Sequence, residues 1–196
     1  TPGIEDLILE EPEIIKQGGR YGVKLKAVAS SIHLMRVDVE STFEPIIGTT
    51  SKILILGSFP SVKSRKVDFY YGNPRNRFWE AVCSFFGESV PSDTQGKKNF
   101  ALKHGVALWD IVTECEIEGS KDDTIKNFKV ADLKKVLQNS KISFIIVNGG
   151  KAYEIFLKSY ADIDIPYAKL SSTSPANTRF SKEEWFGALS RAFSRT

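Results

Sequence analysis

The chain has 196 residues, enough for one domain and a modest extension against a prior of about 150 residues per domain. With 41% apolar, 11% aromatic and 26% charged residues it is a globular sequence, which excludes a disordered or collagen-like chain. Its 27 basic and 24 acidic residues leave a net charge of +3, so attraction for nucleic acid must come from a local patch. Cys83 and Cys115 are the only cysteines and His33 and His104 the only histidines. No Cys/His zinc site or iron–sulfur cluster can be assembled from them, and neither metal nor cofactor is expected. Two lone cysteines make a reduced, cytoplasmic setting the default. No apolar run approaches the roughly 18 residues of a membrane span and no leader pattern opens the chain, so no membrane partner is expected.

Residues 1–42 read as an N-terminal extension without an assigned role. Within it, Ile4 to Ile15 has the spacing of a short acidic helix, Tyr21 to Ala27 alternates as a strand would, and Ile32 to Val39 is a candidate partner strand. Beyond Lys52 four apolar runs, Ile53–Leu56, Val106–Ile111, Ile142–Val147 and Pro166–Leu170, read as buried strands. Helical stripes separate them. Phe78, Val82, Phe85 and Phe86 precede a Gly87 stop; Val130, Leu133 and Leu137 form the second stripe; Ala152, Ile155, Phe156 and Tyr160 follow Gly149-Gly150. The last helix opens on a capping box, Ser181 with Glu184, and buries Phe186, Leu189 and Phe193. This β-α-β-α-β-α-β-α order predicts an α/β fold, a three-layer α/β/α sandwich with a mainly parallel four-stranded sheet, over residues 43–196. Ligands of such sheets bind outside the carboxyl ends of the strands.

The unusual segments follow those ends. After the first strand comes Gly57-Ser-Phe-Pro-Ser61, where Gly57 lets a ligand approach the backbone and Phe59 offers a stacking face. Lys63, Arg65 and Lys66 come next. Tyr70 and Tyr71 with Arg75 and Arg77 then interleave rings and cations, a mixture suited to a base beside a phosphate or, equally, to a loop packed over its own aromatics. Asn76 stands where the Phe78 helix begins and reads as its cap, unless Asn73-Pro74 supplies that cap. Asn148 ends the third strand, either as a turn residue or as an amide reading a base edge. Ser172-Thr-Ser-Pro175 after the fourth strand can be an ordinary loop or a set of hydroxyls donating to phosphates. His104 lies at the wrong end of its strand and reads as structural.

Gly57-Ser-Phe-Pro-Ser61, Tyr70-Tyr-Gly-x-Pro-x-Asn-Arg-Phe-Trp79, Val106-Ala-Leu-Trp-Asp110 with the downstream Cys115 and Gly119-Ser-x-Asp122, Asn148-Gly149, and Ser172-Thr-Ser-Pro-Ala176 occur in that order. Together they resemble the hypoxanthine (deoxyinosine) DNA glycosylases of the uracil-DNA glycosylase superfamily. The resemblance runs from about Phe43 to the C-terminus. It implies a monomeric, monofunctional enzyme that removes deaminated bases from double-stranded DNA in base-excision repair. Gly57, Phe59, Pro60, Tyr71 and Asn148 would then hold the flipped base, and Ser61, Arg75, Arg77, Ser172, Thr173, Ser174 and Pro175 the DNA. Ser58 stands where most superfamily members place an Asp or Asn that positions water, which makes Asn76, with Ser58, the catalytic candidate. Asn73 and Ile117 depart from the family's usual His and Arg.

Breaking a glycosidic bond needs a dry pocket, donors to the leaving base and one oriented water; Asn76 would orient that water rather than remove its proton. Competing readings are a uracil-preferring glycosylase and a non-catalytic lesion-binding module. A free-nucleotide site at Gly149-Gly150 is a further reading, which lacks any G-x-G-x-x-G or Walker pattern.

Overall fold

The computed structural model describes residues 13–17, 20–24 and 39–195, with side chains from residue 40 onward. Two compact units divide the chain, residues 1–36 and 37–196. In the first, β1 (Glu13–Gln17) pairs antiparallel with β2 (Arg20–Lys24). The strand expected from Tyr21 is present through Lys24. Residues 13–15, expected at the end of a helix, are instead strand. The expected partner strand lies outside the described residues except for its last residue, Val39, and the partner found is β1.

The second unit is built on β4 (Ile53–Gly57), β5 (Val106–Asp110), β8 (Phe144–Asn148) and β9 (Tyr167–Leu170), all parallel, in the order β5-β4-β8-β9. Every residue of β4 and β8 is buried, which is why these strands read as unbroken apolar runs rather than alternating ones. Alternate residues face opposite layers. Ile53, Ile55, Leu108 and Ile146 pack with helices α2 (Phe78–Phe85), α3 (Thr94–Lys103) and α6 (Lys182–Phe193) around Phe78, Phe100 and Trp185. Leu54, Leu56, Ile145 and Val147 pack with α4 (Leu133–Gln138) and α5 (Gly150–Tyr160) around Leu133, Ile155 and Phe156. This is the predicted three-layer sandwich; the short α1 (Val62–Val67) completes the helices.

A second sheet was not foreseen. β6 (Val112–Glu116) pairs antiparallel with both β3 (Val39–Ser41) and β7 (Lys126–Val130). It leaves the main sheet directly after β5, through Ile111 and Val112, whose amides donate to the carbonyls of Gly57 and Ser58 at 2.9 and 3.1 Å. The link between β6 and β7, carrying Ser120 and a 3-10 turn at Asp122–Thr124, is thereby placed beside the end of β4.

The strand order reverses at β4: its next strand, β5, lies on one side and β8 on the other. Their carboxyl ends, Gly57 and Asn148, flank the switch point at which such sheets bind ligands.

Candidate active site

Strand register builds the floor of the site. Gly57 pairs with Asp110 and Asn148 with Leu170, so the ends of four strands form one row. Above that row opens a cavity of about 1290 Å³, lined among others by Gly57, Ser58, Phe59, Tyr71, Asn76, Asp110 and Asn148, by Asp122 from the 3-10 turn, and by residues 171–177. It has room for a nucleotide and its flanking phosphates. Lys63, Lys66, Arg75, Lys121, Lys169 and Arg179 also line it, which gives a chain of small net charge the local basic rim that phosphate binding needs.

The Gly57–Ser61 segment is held from several sides. Ser58 donates from Oγ to Asp122 Oδ2 at 2.7 Å. That bond fixes the hydroxyl and leaves its lone pairs toward other donors. Burial raises the Asp122 pKa above the usual carboxylate value, against the lowering effects of the Ser58 bond and the Lys151 charge. Phe59 is buried, with the Arg65 guanidinium 5.6 Å from its ring centre. Arg65 donates to the carbonyls of Pro60 (2.7 Å) and Gly119 (3.3 Å), and its Nε lies 3.4 Å from Glu40. Ser61 caps α1, accepting from the Ser64 amide at 3.2 Å, so this hydroxyl serves the helix as well as lining the cavity.

Asp110 was not assigned a role from the sequence. It is 4% exposed, and Thr42, brought alongside by the Thr42 amide bond to the Thr113 carbonyl, donates to its Oδ2 at 2.6 Å. Burial, with a smaller push from the Asp122 charge and against the Thr42 bond, raises its pKa to about 7. Only glycine fits opposite it: a Cβ on residue 57 would stand 2.5 Å from Asp110 Oδ1 and 3.3 Å from the Tyr71 hydroxyl. Burial and the Asp110 charge push the Tyr71 phenol well above its ordinary pKa, and nearby Asn148 moderates the shift. The hydroxyl nevertheless lacks a properly oriented hydrogen-bond partner.

Asn148 is tied to the serine loop. Its Nδ2 donates to Thr173 Oγ1 at 2.9 Å and its Oδ1 accepts from the Thr173 amide at 3.1 Å. One donor hydrogen and one lone pair remain for a ligand. Gly149, at φ 97°, then turns the chain into α5 directly beneath Ser172.

Asn76 lines the cavity, but its Oδ1 accepts from the Phe78 amide at 2.9 Å. The alternative cap fails because Pro74 sits in a turn ahead of the helix, where Asn73 Oδ1 accepts from the Arg75 amide. The Asn76 Nδ2 makes no hydrogen bond among the described residues.

Two residues expected at the DNA face point elsewhere. Thr173 is 1% exposed, and its hydroxyl is bound to Asn148. Arg77 does not line the cavity: its guanidinium donates to the carbonyls of Ser174 and Asn177 and lies 4.6 Å from the Phe180 ring centre, bracing the serine loop from beneath. Ser172 and Ser174 do remain at the cavity. Their oxygens accept from the amides of Ser174 and Ala176, which leaves each O–H to donate outward. His104 is structural, stacked on Phe86 at 4.0 Å and bonded to Glu88 at 2.8 Å. Among the described residues no group of three or more His, Cys, Asp or Glu could hold a metal, and no helix is long and apolar enough to cross a membrane.

Comparison with known proteins gives two separate matches. The family model for the uracil DNA glycosylase superfamily matches residues 45–193, and that for the middle domain of stage IV sporulation protein A matches residues 1–48. A hypoxanthine DNA glycosylase of Methanosarcina acetivorans is 36% identical over 156 residues, 75% of this chain and 96% of that protein. Stage IV sporulation protein A of Bacillus anthracis is 71% identical over 49 residues, 25% of this chain and only 10% of that protein. The solution structure of a candidate uracil DNA glycosylase from Methanosarcina acetivorans superimposes with a TM-score of 0.68 at 31% identity, covering 80% of this chain and 99% of the other.

Proposed function

The chain belongs to the uracil DNA glycosylase superfamily, and we propose that it hydrolyses the glycosidic bond of hypoxanthine in double-stranded DNA, with residues 43–196 as the catalytic domain. One observation carries the reading. The Gly57–Ser61 segment, Asn148 and the serine loop, far apart in sequence, line one basic-rimmed cavity at the switch point of the sheet. Hypoxanthine is chosen over uracil because two relatives, matched along 96% and 97% of their own lengths, are named hypoxanthine DNA glycosylases.

The target base must leave the stack to enter such a cavity. Phe59, buried in the cavity wall, supplies a face for the base, and the free donor of Asn148 an edge contact. The bond breaks toward an oxocarbenium-like sugar and an anionic base, so a water must be held on the sugar's far side. Ser58, its proton directed to Asp122, presents lone pairs to that water. Asn76 offers its unengaged amide nitrogen to the same end, without acting as a base. Arg75 and the outward hydroxyls of Ser172 and Ser174 bind flanking phosphates. The product is an abasic site on an intact strand, from a monomer working without metal. Both cysteines are free and buried, which suits the reducing cytoplasm.

The test is a single-turnover assay on duplexes carrying hypoxanthine, uracil or xanthine, with and without alkaline cleavage of the product. Release of hypoxanthine, with strand breaks only after alkali, is expected. Preferential uracil release would replace the substrate assignment, and tight lesion binding with no release would leave a sensor. For Asn76, the Asp variant keeps the helix cap and loses the amide nitrogen. A rate drop of roughly 10²-fold with little loss of melting temperature is expected, whereas an unchanged rate would return Asn76 to the cap alone.

A further inference from the structure

Asp110 and Tyr71 have no task in holding water, yet they meet over Gly57. Parallel pairing sets Gly57 beside Asp110, and the missing side chain at residue 57 leaves the space into which Asp110 Oδ1 and the Tyr71 hydroxyl both reach. Tyr71 arrives there from a left-handed backbone, φ 52°, a conformation bulky residues avoid. Its ring is stacked on Phe78 at 3.9 Å, so its direction is fixed. Buried hydroxyls are almost always paired. This one is buried, belongs to a residue that lines the cavity, and has no properly oriented partner among the described residues, with Asn148 close by. Asp110 is likewise half engaged: Thr42 occupies Oδ2, while Oδ1 has no hydrogen bond among the described residues.

We propose that Asp110, as a neutral carboxylic acid, and Tyr71 recognise the oxo-bearing edge of the extruded base, each donating a hydrogen bond to an acceptor on it. The inference rests on the glycosylase reading above and adds the edge by which the base is chosen. Deamination replaces an exocyclic amino donor by an oxo acceptor. Two buried donors accept that change, and they reject the undamaged base, whose amino group would oppose donor to donor. The same oxygen takes up charge as the bond breaks, so the donors strengthen their hold in the transition state. An ionised Asp110 would repel it. The groups facing Asp110 are Thr42 from the segment after β3, Tyr70 and Tyr71 from the loop after α1, and Asp122 from the 3-10 turn. These are hydroxyls and an acid, with no cation from the described residues among them to favour the ionised form, in keeping with a pKa near 7. The recognising form is therefore present below about pH 7 and is lost as pH rises through it.

The experiment is single-turnover release of hypoxanthine across a pH series by the full-length protein and by the variants Asp110→Asn, Asp110→Leu and Tyr71→Phe, each with its melting temperature. The wild-type rate should fall about tenfold per unit above pH 7. Asp110→Asn, which keeps a donor that does not titrate, should be about tenfold slower in acid with a flat profile. Asp110→Leu should lose roughly 10² to 10³-fold without melting earlier, and Tyr71→Phe about tenfold. An Asn variant as inactive as the Leu variant, or a wild-type rate that rises through pH 7, would overturn the proposal. If the wild type releases no hypoxanthine at all, the substrate assignment fails by itself. Asp110 is then judged by a carbon-13 NMR titration of the free protein's carboxyl groups: a midpoint near 7 supports the neutral donor, and one near the ordinary carboxylate value overturns it.

Discussion

Replacing Arg77 by Met keeps the aliphatic stem and removes the guanidinium, which separates a brace from a phosphate contact. In the structure that group donates to the carbonyls of Ser174 and Asn177 and lies over Phe180. Hydrogen bonds from a charged donor contribute about 1.5 to 3 kcal/mol each. The serine loop is half exposed, so water can reach the freed carbonyls and the low end applies. Adding about 0.5 kcal/mol for the ring contact gives a loss of about 3.5 kcal/mol, or roughly a 10 °C drop in melting temperature for a domain of this size. Duplex affinity should weaken as the loop loosens, with the slope of log K against log salt unchanged. A lost phosphate contact would instead make that slope shallower by about 0.9. Calorimetry and binding at several salt concentrations give both numbers on one variant. A melting temperature within about 1 °C of wild type together with a shallower slope would refute the brace.

Asn148→Ala strands the hydroxyl and amide of Thr173 in a site 1% exposed, which should cost about 3 kcal/mol and weaken binding to an abasic duplex along with cleavage. Asn148→Asp, which still accepts from the Thr173 amide and can accept from its hydroxyl once that bond reverses direction, should recover the stability; thermal melts of the pair decide, and an Ala variant as stable as wild type would contradict the tie. Gly57→Ala drives a methyl to 2.5 Å from Asp110 Oδ1, so turnover should drop by roughly 10-fold or more; an unaffected rate would mean that the close approach has no role. Activity should survive excess EDTA, and its loss with restoration by one divalent ion would show a metal dependence that no cluster of described residues accounts for.

The main sheet was legible because β4, β5 and β8 are buried on both faces and leave continuous apolar runs. The second sheet was not. In β7 only Val130 escapes full exposure, and the pairing of β6 with β7 is irregular in register, so neither strand shows a clean period of two. Gly18-Gly19 between Glu13–Gln17 and Arg20–Lys24 is a hairpin signal that the competing helical spacing of Ile4 to Ile15 obscured. In the site, the rule of looking just past strand ends found Gly57, Phe59 and Asn148. Asp110 escaped that rule because the expected strand ran on to Ile111 and kept it inside, whereas β5 ends at Asp110, and a lone acid after Trp109 gave no hint of burial. Asp122 could not be found that way. It meets Ser58 across 64 residues through a turn whose position depends on the unforeseen sheet. Arg77 shows the converse limit, since a cation's place in sequence does not say which way its guanidinium points.

The Arg65 side chain touches three separate pieces of chain: Glu40 in β3, the ring of Phe59 with the Pro60 carbonyl after β4, and the Gly119 carbonyl beyond β6. A keystone of that kind couples fluctuations. None of the three loops can swing away without breaking contacts that hold the other two, so the rim should open as one unit and not piece by piece. Amide hydrogen exchange at Val62, bonded to Ser120 at 2.9 Å, and at Thr124, bonded to the Lys121 carbonyl, should then share one opening free energy. Widely different values would show loops that breathe independently. A rim that moves only as a whole stays in shape until the duplex arrives, and the ordering of those loops is complete before any base is drawn from the helix.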